Sequence, residues 1–160
     1  MTNTLKYKNK SISQGIAFGT MDGVVNVLGI IAGLSLAGVD SRTIILGAIA
    51  AGFANAIANS SGFYVSEESI LADKEVNIIK VTIVAFLSSL VSALILSIPI
   101  LLFLPLTGLL ASVVLGLTIL FILSIVFSSS KTSRTKLGIR YVIIGLFATV
   151  AGLLIGVLID

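Results

Sequence analysis

The stretch that decides the fold is 15-GIAFGTMDGVVNVLGIIAGL-34, which sets one carboxylate, Asp22, inside an otherwise apolar run. The chain has seven acidic residues, and only Asp22 lies deep within a hydrophobic segment. An ionisable group at that depth costs on the order of 2.5–3.5 kcal/mol on insertion scales. A residue kept at such a cost is expected to serve function, although a protonated Asp22 donating a hydrogen bond to a neighbouring amide is the structural alternative.

Working outward, 57% of the 160 residues are hydrophobic and 11% are charged, and the mean hydropathy is +1.19. A soluble domain carries roughly 25% charged residues, so the deficit points to lipid as the solvent. No long hydrophilic block stands ready to form a separate soluble domain, and a single transmembrane domain over residues 1–160 is expected. Each crossing needs about 20 apolar residues, and five such runs lie near residues 14–37, 43–66, 78–101, 106–128 and 137–159. The expected fold is therefore all-α, a polytopic membrane protein with five transmembrane helices. Pro99 is expected to kink or end the third helix, and Pro105 to impose an extended step before the fourth.

The polar N-terminal segment with Lys6, Lys8 and Lys10 precedes a full-length span rather than a short signal core. It is read as the cytoplasmic leader of an uncleaved first helix. With that end inside, Lys6, Lys8, Lys10, Lys74, Lys80, Lys131, Arg134, Lys136 and Arg140 all fall on the cytoplasmic side, and only Arg42 falls outside. Nine against one predicts an N-in, C-out topology. Basic residues gathered at span ends, without aromatic interleaving, give no sign of nucleic-acid binding.

Residue spacing makes two polar seams legible. Gly15, Gly19, Asp22, Asn26, Gly29 and Gly33 recur at intervals of 4, 3, 4, 3 and 4, which keeps them on one helix face. Ala48, Gly52, Asn55, Asn59, Gly62 and Ser66 repeat the pattern in the second span. Small residues let helix backbones approach closely, and amides hydrogen-bond across the gap. Joined by a short turn, the two helices are expected to be antiparallel neighbours with facing seams. Counted from the inner ends at about 1.5 Å per residue, Asp22 lies about 12 Å deep, Asn59 about 10 Å and Asn55 about 16 Å. The carboxylate and the amides then share a level. Such seams are also common packing devices, and the Gly and Asn residues admit that role as well.

The rest of the chain holds less chemistry. Glu67 and Glu68, with Asp73 and Glu75, offer an acidic entry for cations or simply a solvated helix end balanced by Lys74 and Lys80. Ser and Thr in the later spans are expected to bond back to their own helix carbonyls, and Gly138, Gly145, Gly152 and Gly156 to serve close packing. The chain contains no Cys, His or Trp. That excludes disulfides, Cys/His zinc sites, haem with His or Cys axial ligands and cysteine-held iron–sulfur clusters. A metal would have to take oxygen ligands, which suit Mg, Ca, Mn and, less selectively, Fe(II). No nucleophile elbow, Walker-type loop or His-Glu motif occurs, so no enzyme activity is expected.

The run MDGVVNVLGIIAGLSLAG resembles the first helix of the vacuolar iron transporter family, also called the yeast calcium-cross-complementer family, and GFANAIANSSGFYVSEES resembles its second. The resemblance is specific over residues 18–68 and topological beyond them. It implies a homodimer that exports Fe(II) or Mn(II) from the cytoplasm in exchange for protons, with the ion as cargo and no cofactor. By position, Asp22 matches the family's metal-binding, proton-linked aspartate. Asn59 stands where many members have a metal-binding methionine, and Phe63 where a glutamate precedes the tyrosine. The large acidic domain between the second and third helices is reduced here to a short connection, as in the short branch of the family. A divalent-cation transporter is thus the leading expectation, with Asp22, Asn26, Asn55 and Asn59 as the metal and proton site. A membrane scaffold or partner subunit that uses its seams to bind another helix is the alternative, and a channel-like permease a third. The brevity of the chain favours a prokaryotic plasma membrane as its location.

Overall fold

In lipid every backbone polar group must find a partner within the protein, which leaves helices as the natural form of long apolar runs. The computed structural model describes residues 2–71, 77–127 and 133–159, with side chains over 11–68, 77–127 and 133–158. Five helices result: α1 (Thr2–Leu36), α2 (Ser41–Leu71), α3 (Ile78–Leu102), α4 (Pro105–Phe127) and α5 (Arg134–Ile159). All five are long and apolar enough to cross a membrane, with candidate spans at Ser11–Leu36, Ser41–Glu68, Ile78–Leu102, Pro105–Phe127 and Arg134–Leu158. Large side chains such as Leu104, Phe147 and Leu158 point outward. Apolar surface on this scale is foreign to a soluble monomer. The chain is a multi-pass integral membrane protein.

The first two helices run past the apolar stretches that predict them. α1 begins at Thr2 rather than near residue 14, and α2 continues to Leu71 rather than ending near 66. Hydropathy marks where lipid ends, not where a helix does. No Gly or Pro interrupts residues 2–14, and Lys and Leu are good helix formers. Asp73, Lys74, Glu75 and Lys131 lie outside the described residues.

Each turn is built from its own chemistry. Gly38 takes a left-handed φ of 66° after α1, where a β-carbon would be strained. Asp40 then caps α2: Oδ2 accepts from the Thr43 hydroxyl at 2.6 Å, and Oδ1 from the amides of Arg42 and Thr43 at 2.9 and 3.1 Å. These donors, the Thr43 hydroxyl foremost, hold the Asp40 carboxyl below the usual carboxylate range. The cap's contribution is therefore present above that range and fades as pH falls through the lowered value. Asn77 caps α3 by accepting from the Lys80 amide at 3.0 Å. Pro99 sits inside the last turn of α3, where its carbonyl accepts from the Phe103 amide. Phe103 and Leu104 make the short link, and Pro105 opens α4 in the first helical position that suits it.

α1 is the centre of the bundle and packs on all four other helices, most extensively on α3 and then α5. Val24, Val27, Leu28 and Ile31 of α1 are fully buried, together with Ile44 of α2, Leu96 and Ile100 of α3 and Leu120 of α4. The glycine seam of α1 does not face α2 as expected. A β-carbon on Gly15 would lie 2.7 Å from the Val81 carbonyl, and one on Gly19 would collide with the Ala85 carbonyl, so this half of the seam meets α3. Gly29 and Gly33 instead approach Ala148 and Gly152 of α5. The reason is that packed helices cross at an angle, so no single partner can follow one stripe for five turns. On α2, a β-carbon at Gly52 would meet Ala93 and Val27, whereas one at Gly62 meets nothing within 4 Å in its own chain.

The tightest backbone approach to α5 is Gly152, whose β-carbon would strike the Gly29 carbonyl. Gly152→Val should therefore cost about 1–3 kcal/mol by overpacking, while Gly62→Ala should stay within about 0.5 kcal/mol of wild type. Thermal melting of the two variants in detergent checks both expectations.

Candidate functional site

Asp22 sits half-buried on α1 with its oxygens turned toward α2 and α3. The spacing that places Asn26 one turn further along α1 lets its amide donate to Asp22 Oδ1 at 2.8 Å and to the Asp22 carbonyl at 3.0 Å. Asn55 and Asn59, likewise one turn apart on α2, donate to Oδ2 at 2.7 Å and to Oδ1 at 2.6 Å. Asn59 also donates to Asn55 Oδ1 at 3.0 Å, which locks the two amides to each other. The structure thus brings Asp22, Asn26, Asn55 and Asn59 into one cluster.

A fifth member comes from α3. Ser89, only 3% exposed, donates its hydroxyl to Asp22 Oδ2 at 3.4 Å. Sequence reasoning assigned the hydroxyls of the later spans to their own helix carbonyls. That holds for Ser92, Ser97, Thr118 and Thr149, but not for Ser89, nor for Ser112, which donates to the Leu96 carbonyl of α3. Ser89 reaches Asp22 because Gly23 has no side chain: a β-carbon there would strike the Ser89 carbonyl. The signal available was the Asp-Gly pair itself, since a glycine beside a buried carboxylate marks a close backbone approach.

Chemically, an ionised carboxylate only accepts hydrogen bonds, so the amides must turn their NH2 groups toward it. Four side chains do the work that water would do at a surface. Among the described residues no group of three or more His, Cys, Asp or Glu converges, so a cation here would meet one carboxylate and the oxygens of amides and a hydroxyl. Holding that cation requires the amides to rotate, because their nitrogens now face the carboxylate.

Two neighbours define the surroundings. From Asn26 toward the α1–α2 turn, a groove of about 680 Å³ runs between α1, α2 and α5, walled by Gly29, Gly33, Gly47, Ala51 and Gly152 among others. Glu67, half-buried, and Glu68, exposed, lie toward the other end of α2, at least about 12 Å along the axis from Asn59 by helical rise. They do not join the cluster. Of the glycines expected to pack, Gly15, Gly19, Gly29, Gly33 and Gly52 make close approaches and Gly62 makes none within the chain.

The elements that build this cluster from α1 and α2 are also the part of the chain with a recognisable lineage. Residues 14–71 match the model of the VIT family. The VIT-family segment carries Asp22 and all three amides, while Ser89 lies beyond it. No significant match exists among curated proteins or among solved structures. The vacuolar iron transporter resemblance seen in the sequence is thus shown by the family match, in a short five-helix chain without an added domain between the second and third helices.

Removing Asn59 leaves the half-buried carboxylate short of one donor. Asn59→Ala should cost about 1–3 kcal/mol, and Ser89→Ala, at a longer distance, less. Thermal melting checks the order, and a double-mutant cycle with Asp22→Ala should show coupling above about 0.5 kcal/mol for Asn59.

Proposed function

We propose that this protein is a divalent metal cation transporter that moves Fe(II) or Mn(II) out of the cytoplasm in exchange for protons. The observation that carries the reading is one membrane-depth carboxylate enclosed by three amides and a hydroxyl on three helices. The VIT-family match over α1 and α2 supplies the class of activity, metal transport.

Asp22 alternates between three partners in this reading. Without cargo its oxygens accept the amide NH2 groups. When a cation arrives, Asn55 and Asn59 rotate so that their oxygens join the carboxylate around it. When a proton arrives instead, the carboxylic acid donates to an amide oxygen, which calls for the same rotation. The amides therefore turn for either occupant and return to the carboxylate when it leaves. One negative charge balances a divalent ion poorly, so the working unit is a homodimer that sets two Asp22 residues near one ion. The nine-to-one distribution of Lys and Arg supports an N-in, C-out orientation, with Glu67 and Glu68 on the cytoplasmic side as a cation entry. The membrane is a prokaryotic plasma membrane.

A second reading, a scaffold or partner subunit without transport, is favoured by the groove between α2 and α5, whose Gly and Ala walls have the character of a helix-binding surface.

Metal uptake into proteoliposomes separates the two. Wild type should carry Fe(II) or Mn(II), and Asp22→Asn, which keeps the shape and removes the charge, should abolish the flux. Equal flux in both proteins would sink the role of Asp22. Absence of flux in both would favour the scaffold.

A further inference from the structure

The two sides of the carboxylate–amide cluster differ. Toward the α1–α2 turn, the groove reaches Asn26. In the opposite direction, Phe18 stands four residues before Asp22 on α1, and Phe63 stands four residues after Asn59 on α2. Because the helices run antiparallel, both offsets lead the same way, about 6 Å along the axis toward the end that bears Glu67 and Glu68. There the two rings stack, with centroids 5.0 Å apart and planes at 23°. Phe63 also packs with Ile12 and Ile78 against the buried Val81 of α3. Side chains from three helices thus lay an apolar layer between that end of the bundle and Asp22.

We infer that Phe18 and Phe63 are an aromatic gate that closes the Asp22 cluster toward the Glu67–Glu68 end, with Phe18 as the moving leaf. A hydrated cation does not cross a dry aromatic layer, and hydrophobic constrictions gate by excluding water. The two rings are held unequally. Phe63 is half-buried and packs with Ile12 and Ile78 against Val81, whereas Phe18 is 41% exposed. Opening exchanges one stacked pair for a rotamer change at Phe18, a small enough difference to be shifted by an occupant of the cluster. The inference rests on the transport reading for its purpose, since a gate matters only where something passes.

The test needs no transport. The chain has no cysteine, so Ser89→Cys places a single thiol beside Asp22. The reporter is exposed to a charged, membrane-impermeant methanethiosulfonate in vesicles sealed with the Glu67–Glu68 face outward. With both rings present the thiol should label slowly. Phe18→Ala, and independently Phe63→Ala, should raise the rate about tenfold, while Phe18→Leu, which keeps apolar bulk, should stay near the parent. A parent that labels as fast as Phe18→Ala, or alanine variants that fold and label no faster, would overturn the gate. Gated labelling in a protein that carries no metal would overturn the transport reading alone. Flux that depends on Asp22 together with ungated labelling would overturn the gate alone.

Discussion

The structure depends on one steric constraint: α1 and α3 touch backbone to backbone at Gly19 and Gly23, where a β-carbon on either would run into α3 carbonyls. Without a hydrophobic driving force between helices in lipid, such approach is a principal source of helix association. Here it also has a chemical result. The contact at Gly23 holds the Ser89 hydroxyl against Asp22. The same arrangement lets α3 lie beside α2, so that the amides of α2 close on the carboxylate from the remaining direction. Packing and polar chemistry share the same turns of α1.

The cluster shows how a membrane protein keeps an acid where water cannot serve it. Each Asp22 oxygen accepts two side-chain donors, and the amides on α2 are tied to each other as well. Amides suit this task because one end donates and the other accepts. A site built from lysines would repel a cation, and one built from several carboxylates would repel itself. Amides do neither, and a half-turn of the group changes which end it offers.

Much of the architecture was legible in the sequence because hydropathy over a span is a strong signal. Five apolar runs became five helices, and the spacing that set Asp22 and Asn26 on one face, and Asn55 and Asn59 on another, corresponds to residues that meet. What spacing could not specify was the partner of each face. Gly29 and Gly33 share a stripe with Gly15 and Gly19, yet they meet a different helix, because crossing angles are set by the whole bundle. Ser89 was hidden for a related reason. Its hydroxyl looks like many others in α3, and only the glycine on the opposite helix singles it out. The early start of α1 escaped because the polar residues before Ser11 are poor lipid residues but acceptable helical ones.

The approach of Gly29 and Gly33 to Gly152 and Gly156 has a bearing on how the protein is made. These residues lie in α1 and α5, which three other helices separate along the chain. Until α5 enters the membrane, the half of α1 nearest the α1–α2 turn has a bare glycine face and no backbone to set against it. α1 can therefore gather α2 and α3 as they emerge, but this part of its surface is covered only when α5 docks on it.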